Sequence, residues 1–236
     1  YSADLVDRLN RLALRGHALL YGARDDRKNR AFIFIAGGFS RLVRAEWRAV
    51  AVAGALFFGP LLGLIVVMQY YPDFVYYLMN PQQIANFEEM YSPTAERLGR
   101  PREADSSFLM FGVYIWNNVK IGFQTFAGGL LFGLGTIFFL LFNGFLLGAV
   151  AGHLTQIGYV TPFYSFVSGH SALELTAIML SGAAGLKIGF ALIAPGQFSR
   201  KAAVMQAARA ATRIVYGAAA MFLAAAFVEA FWSPLT

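Results

Sequence analysis

Residues 128–154 read GGLLFGLGTIFFLLFNGFLLGAVAGHL, a run without one Asp, Glu, Lys or Arg. About 20 mainly apolar residues suffice for a helix to cross the hydrocarbon core of a bilayer. In lipid a helix also satisfies every backbone N–H and C=O internally. Gly128–Leu154 is therefore read as a membrane span. Working outward, Ala49–Tyr71, Phe108–Ala127, Ser171–Ala194 and Arg213–Trp232 qualify on the same grounds. The pair Gly128-Gly129 marks the turn between the second span and the third. The reading is an all-α polytopic bundle of about five spans.

Composition agrees. Apolar residues make up 58% of the 236, and charged residues 14%. Soluble domains run at roughly 45–50% and about 25%. The chain contains no cysteine, which excludes disulfides, thiolate metal sites and a cysteine nucleophile. The net charge of +6 sits beside the apolar runs. Anionic lipid headgroups are thus the expected partner, and nucleic acid is not. The first apolar run begins near Ala49, too deep for a signal peptide, so it is expected to be retained as an anchor.

Loop charges set the orientation. Arg8, Arg11, Arg15, Arg24, Arg27, Lys28, Arg30, Arg41, Arg44 and Arg48 precede the first span, and Arg200, Lys201, Arg209 and Arg213 precede the last. Pro72–Ser107 carries three Arg against six acids. Basic loops stay cytoplasmic, so an N-in, C-out arrangement is expected. It runs as a cytoplasmic helical region over 1–48, a span over 49–71, an extracytoplasmic loop over 72–107 and spans over 108–127 and 128–154. An outer or re-entrant loop over 155–170, a span over 171–194, a basic cytoplasmic segment over 195–212 and a span over 213–232 complete it. Leu5, Leu9, Leu12 and Leu19 recur at helical spacing among Arg8, Arg11 and Arg15, which predicts an amphipathic helix on the membrane surface or against the bundle. Ala31–Phe39 is too short to span and predicts an elbow. In the outer loop, Asn80 can cap a helix with Pro81 at its first position, and Ile84, Phe87 and Tyr91 share its face.

Five glycine pairs sit four residues apart inside the spans: Gly59/Gly63, Gly129/Gly133, Gly144/Gly148, Gly148/Gly152 and Gly185/Gly189. Such pairs let helix backbones approach closely. They serve packing within the chain or a homodimer interface. Polar groups at membrane depth need a reason of their own. Asn117, Asn118, Lys120 and Gln124 lie in the second span and Asn143 in the third; His170 and Glu174 open the fourth at i, i+4, a spacing at which their side chains can touch. Glu229 lies near the outer end of the fifth. Lys187 is expected to snorkel toward the cytoplasmic interface. His170 and Glu174 either stabilise the helix start or serve proton transfer, ligand binding or gating. One His and one Glu supply too few ligands for a metal, so no metal and no cofactor are expected. The chain has no GK[ST] phosphate loop, no GxSxG and no HExxH. No catalytic residue is therefore assigned.

The polar and glycine positions resemble a known family. Asn117-Asn118, Phe126, Gly128, Gly129, Gly133, Asn143-Gly144, Gly148, the run GHSALE at Gly169–Glu174, Gly182 and Gly185 together resemble the stage II sporulation protein M family. Gly169 stands where that family has Pro and Ser171 where it has Gly; His170 and Glu174 match. The resemblance covers Ala49 to Trp232. It implies a multi-pass protein of the prokaryotic cytoplasmic membrane that scaffolds peptidoglycan-remodelling partners without an enzymatic activity of its own. Rival readings from the residues are a small-solute or ion transporter using the polar intramembrane groups, and an intramembrane lipid- or peptide-processing enzyme.

Overall fold

In the computed structural model the described residues are 3–21, 33–94, 98 and 107–232. They are helical throughout, with no strand among them. The chain divides into two compact units, Tyr1–Ala45 and Glu46–Thr236.

The first unit contains α1 (Ala3–Tyr21), a π-helical turn (Phe34–Gly38) and α2 (Phe39–Ala45). Leu5, Leu9 and Leu12 of α1 are exposed, as are Arg8 and Arg11. The expected elbow is a kink at Gly37, whose carbonyl accepts from Ser40 Oγ and Arg41 Nε, each at 3.2 Å. Arg24, Arg27, Lys28 and Arg30 lie outside the described residues, as does most of Ser92–Ser107.

The second unit is built from α3 (Trp47–Tyr70), α4 (Val75–Leu78), α5 (Pro81–Met90), α6 (Ser107–Ala127), α7 (Leu134–Gln156), α8 (Val160–Ser168), α9 (Ser171–Ile193) and α10 (Arg200–Phe231). Helices α3, α7, α9 and α10 are each long and apolar enough to cross a membrane. Helix α6, read from the sequence as a fifth span, carries Asn117, Asn118, Lys120 and Gln124 and is not among these four. Its first turn puts Phe111 against Phe227 and Phe231 at the end of α10. Its last residues lead to Gly129, which abuts Gly185 deep in α9. The basic residues 200–212, expected as a separate segment, are the first turns of α10 itself. At 1.5 Å per residue this 32-residue helix is about 48 Å long, well beyond a hydrocarbon core of about 30 Å.

Close backbone contact orders the bundle. Gly144, Gly148 and Gly152 of α7 meet Phe57, Leu61 and Leu64 of α3 in the same sequence, so these helices are parallel. A Cβ on Gly148 would lie 2.6 Å from the Leu61 carbonyl oxygen. Gly182 and Gly185 of α9 meet Leu140 and Thr136 of α7 in reverse order, so that pair is antiparallel. Gly129 abuts Gly185, and Gly133 abuts Gly189. Gly133 caps α7 with φ +84°, a left-handed conformation that suits glycine. Thr136 Oγ1 donates to the Thr125 carbonyl at 2.7 Å across this turn. Gly59 and Gly63 differ: a Cβ on either would meet nothing within 4 Å.

The two ends of the bundle are unlike. The basic end carries Trp47, Arg48, the 128–133 turn and Arg200-Lys201. There Lys187 Nζ donates to Glu46 Oε2 at 2.7 Å. Lys187 thus has a carboxylate within reach at the start of α3 and does not simply extend toward water. At the other end, residues 72–91 fold down as a cap. Asn80 Oδ1 accepts from the Gln83 amide at 2.8 Å while Gln83 Oε1 accepts from the Asn80 amide at 3.1 Å, which starts α5. Val75, Met79, Ile84 and Tyr91 then bury against Leu64, Met68, Leu154, Phe163 and Phe166. Tyr91 sits edge-on to Phe163 and Phe166, with centroids 5.1 and 5.8 Å away.

Candidate functional site

Helix α9 starts at the cap end, where His170 occupies the N-cap and Glu174 the first turn. A carboxylate there is favoured by the exposed amides of the helix start. Helix α10 arrives at the same end, with Glu229 two residues before its last. These two helices pack along one another, and both carry small buried residues, among them Ala177 and Ala184 on α9 and Ala218 and Ala225 on α10. Side chains from both therefore converge. One ligand atom from each of His170, Glu174 and Glu229 lies within 4.8 Å of the others. His170 is buried and the two glutamates are half-buried. The Phe166 ring packs edge-on against the imidazole at 5.6 Å, which links this cluster to the cap. His170 lies in the turn ahead of the span, and burial lowers its imidazole to a pKa of about 4.

The other polar residues singled out in the sequence do not share this place. Asn143 Nδ2 donates to the Phe139 carbonyl of its own helix at 2.7 Å. Asn118 is buried, and its Nδ2 has no hydrogen-bond partner among the described residues; Asn117 Nδ2 stands 3.5 Å from its Oδ1. Lys120 is exposed on α6. By helical rise, Asn118 sits about 16 Å along α6 from its cap-end start, and Glu174 only about 5 Å along α9. The mid-depth amides and the cap-end cluster are separate.

No local pattern in the sequence pairs Glu229 with His170 and Glu174. The signal for it lies in the expected topology: in a five-span arrangement the start of the fourth and the end of the fifth fall at one face. A second contact was also missed. His153 Nε2 and Glu88 Oε1 lie 2.7 Å apart, joining α7 to α5 of the cap. Beside it Gln69 Nε2 donates to the Gly152 carbonyl at 3.1 Å.

A family model described as stage II sporulation protein M matches residues 49–234. The chain belongs to the stage II sporulation protein M family. In this member the matched stretch runs from the start of α3 to just past α10. It takes in the glycine contacts, the cap and all three residues of the His170 cluster. The first unit lies outside it. An uncharacterized protein of Methanocaldococcus jannaschii is 32% identical over 81 residues, which cover 34% of this chain and 46% of that protein. The chain thus aligns with less than half the length of this curated relative. No solved structure matches it.

Proposed function

We propose that this stage II sporulation protein M member is an integral membrane scaffold that positions other cell-envelope proteins, peptidoglycan-remodelling ones among them. In this reading it lies in a prokaryotic cytoplasmic membrane with the basic end inside and the cap outside. One observation carries the scaffold reading. Residues 72–91 are not a slack loop but a cap seated on the bundle by Tyr91, His153–Glu88 and a buried apolar cluster. A rigid surface held at the membrane face suits docking, because little further ordering is needed on binding. The backbone-close helices beneath it provide a stiff base. The glycine pair Gly59/Gly63, left open on α3, is where a homodimer would form in this scheme.

The test is photo-crosslinking in cells from the exposed cap residue Tyr77. Recovery of the same envelope proteins from this site, and not from Phe190 on α9, supports the scaffold. Solute movement or substrate cleavage by the purified protein alone overturns it. Orientation is tested separately. The chain has no cysteine of its own, so single cysteines at Tyr77 and Lys201 can be probed with an impermeant maleimide. Labelling of both from one side sinks the topology. The unpartnered amide of Asn118 favours a second reading, a polar solute or ion path. Solute flux into proteoliposomes that Asn118→Leu abolishes would establish it.

A further inference from the structure

The cap-end cluster combines one imidazole and two carboxylates, contributed by the turn before α9, by α9 and by the end of α10. Two candidate ligands are too few for a metal, but the fold supplies a third. We propose that His170, Glu174 and Glu229 bind a divalent transition-metal cation of the zinc class.

Donor chemistry selects that class. Imidazole and carboxylate suit zinc and its neighbours, whereas calcium and magnesium prefer oxygen alone and copper(I) prefers sulfur. Geometry agrees. Zinc takes nitrogen and oxygen ligands at about 2.0–2.2 Å, so tetrahedral neighbours stand roughly 3.4 Å apart. The three donor atoms already lie within 4.8 Å of one another. Rotamer adjustment of two glutamates is enough to close the difference. Charge agrees as well: a dication matches the charge of two ionised carboxylates. The elements bearing them are fixed. Phe166 packs on the His170 ring, and α9 lies along α10. The half-buried glutamates leave a way in from the cap end. Three protein ligands leave a fourth position for water or for a group from a docked partner.

The site also has a structural consequence, since it would tie α9 to α10 just under the cap. The test uses the full chain, purified in detergent and stripped with EDTA. Titration with zinc chloride is followed by calorimetry and by the thermal unfolding midpoint. One equivalent should bind and raise the midpoint, and equimolar magnesium or calcium should do neither. Glu174→Gln and Glu229→Gln, which keep side-chain size, should each weaken zinc at least tenfold. His153→Gln, at the other His–Glu contact, should leave zinc affinity unchanged. X-ray absorption of the zinc-loaded wild type gives a reading that needs no variant: a shell of nitrogen and oxygen near 2.0 Å with one imidazole. No binding to wild type, unchanged affinity in Glu229→Gln, or a shell of several imidazoles would each overturn the proposal.

Discussion

The basic end and the cap end of this bundle are held together by opposite means. At the basic end the closest contacts are backbone to backbone: Gly128 abuts Gly135, Gly129 abuts Gly185, and Gly133 abuts Gly189, with Lys187–Glu46 beside them. At the cap end side chains carry more of the contact. Tyr91 wedges between Phe163 and Phe166, His153 reaches Glu88, and His170, Glu174 and Glu229 converge. The glycine contacts continue along the height of the bundle, through Gly144, Gly148 and Gly182. Within lipid no hydrophobic force pushes helices together, so they gain by bringing backbones close. Near water, aromatic burial and paired polar groups become available again. Close glycine contact serves packing here, and the groups capable of chemistry collect where the bundle meets the aqueous face.

That contrast can be broken most severely at its backbone side. Gly185→Val places a side chain against Thr136 and against the Thr125 and Phe126 carbonyls, and backbone cannot yield as a side-chain tip can. A loss of about 3 kcal/mol or more is expected, at or above the upper range for overpacking. Gel filtration of detergent-solubilised protein should show aggregate in place of a single species. At the cap, His153→Ala removes the partner of Glu88 and should cost about 1–2 kcal/mol, because Glu88 is partly exposed and recovers some hydration. Hydrogen exchange should rise in α5 and stay unchanged around Gly185; a uniform rise would contradict a locally anchored cap.

Smaller effects sharpen the same contrast. Tyr91→Leu keeps an apolar side chain but forfeits two edge-on ring contacts, which are worth about 0.5–1.5 kcal/mol. Proteolysis within the cap should quicken while the bundle core stays intact. The smallest change is expected from Gly63→Ala, which meets no neighbour. Removing a helical glycine is worth up to about 1 kcal/mol in helix propensity, so the unfolding midpoint should hold or rise. A marked fall, together with a change of oligomeric state by light scattering, would show that this face is covered by a second copy.

The long apolar helices and the glycine faces were legible because both are local patterns. An apolar run of sufficient length is a span wherever it occurs, and Gly144, Gly148 and Gly152 form one face whichever helix they meet. The start of α5 was equally legible, since Asn80, Pro81 and Gln83 act on their own backbone. The family resemblance rested on such positions as well. Lys187–Glu46 and His153–Glu88 were not legible, with partners 141 and 65 residues apart. Continuity of α10 through Arg200–Phe231 was hidden for another reason. A charge count separates the basic stretch from the span, whereas the helix needs only an unbroken backbone ladder begun by Ser199.

The amino-acid order alone decided that this chain carries apolar helices of membrane length and which faces carry glycine, because periodicity and apolar length act through neighbouring residues. Only the tertiary structure decided that Gly129 lies on Gly185 while Gly59 lies open, and that Glu229 joins His170 and Glu174. Those outcomes depend on which helices become neighbours and at what height. That choice is made by the whole set of backbone contacts, and no single stretch encodes it.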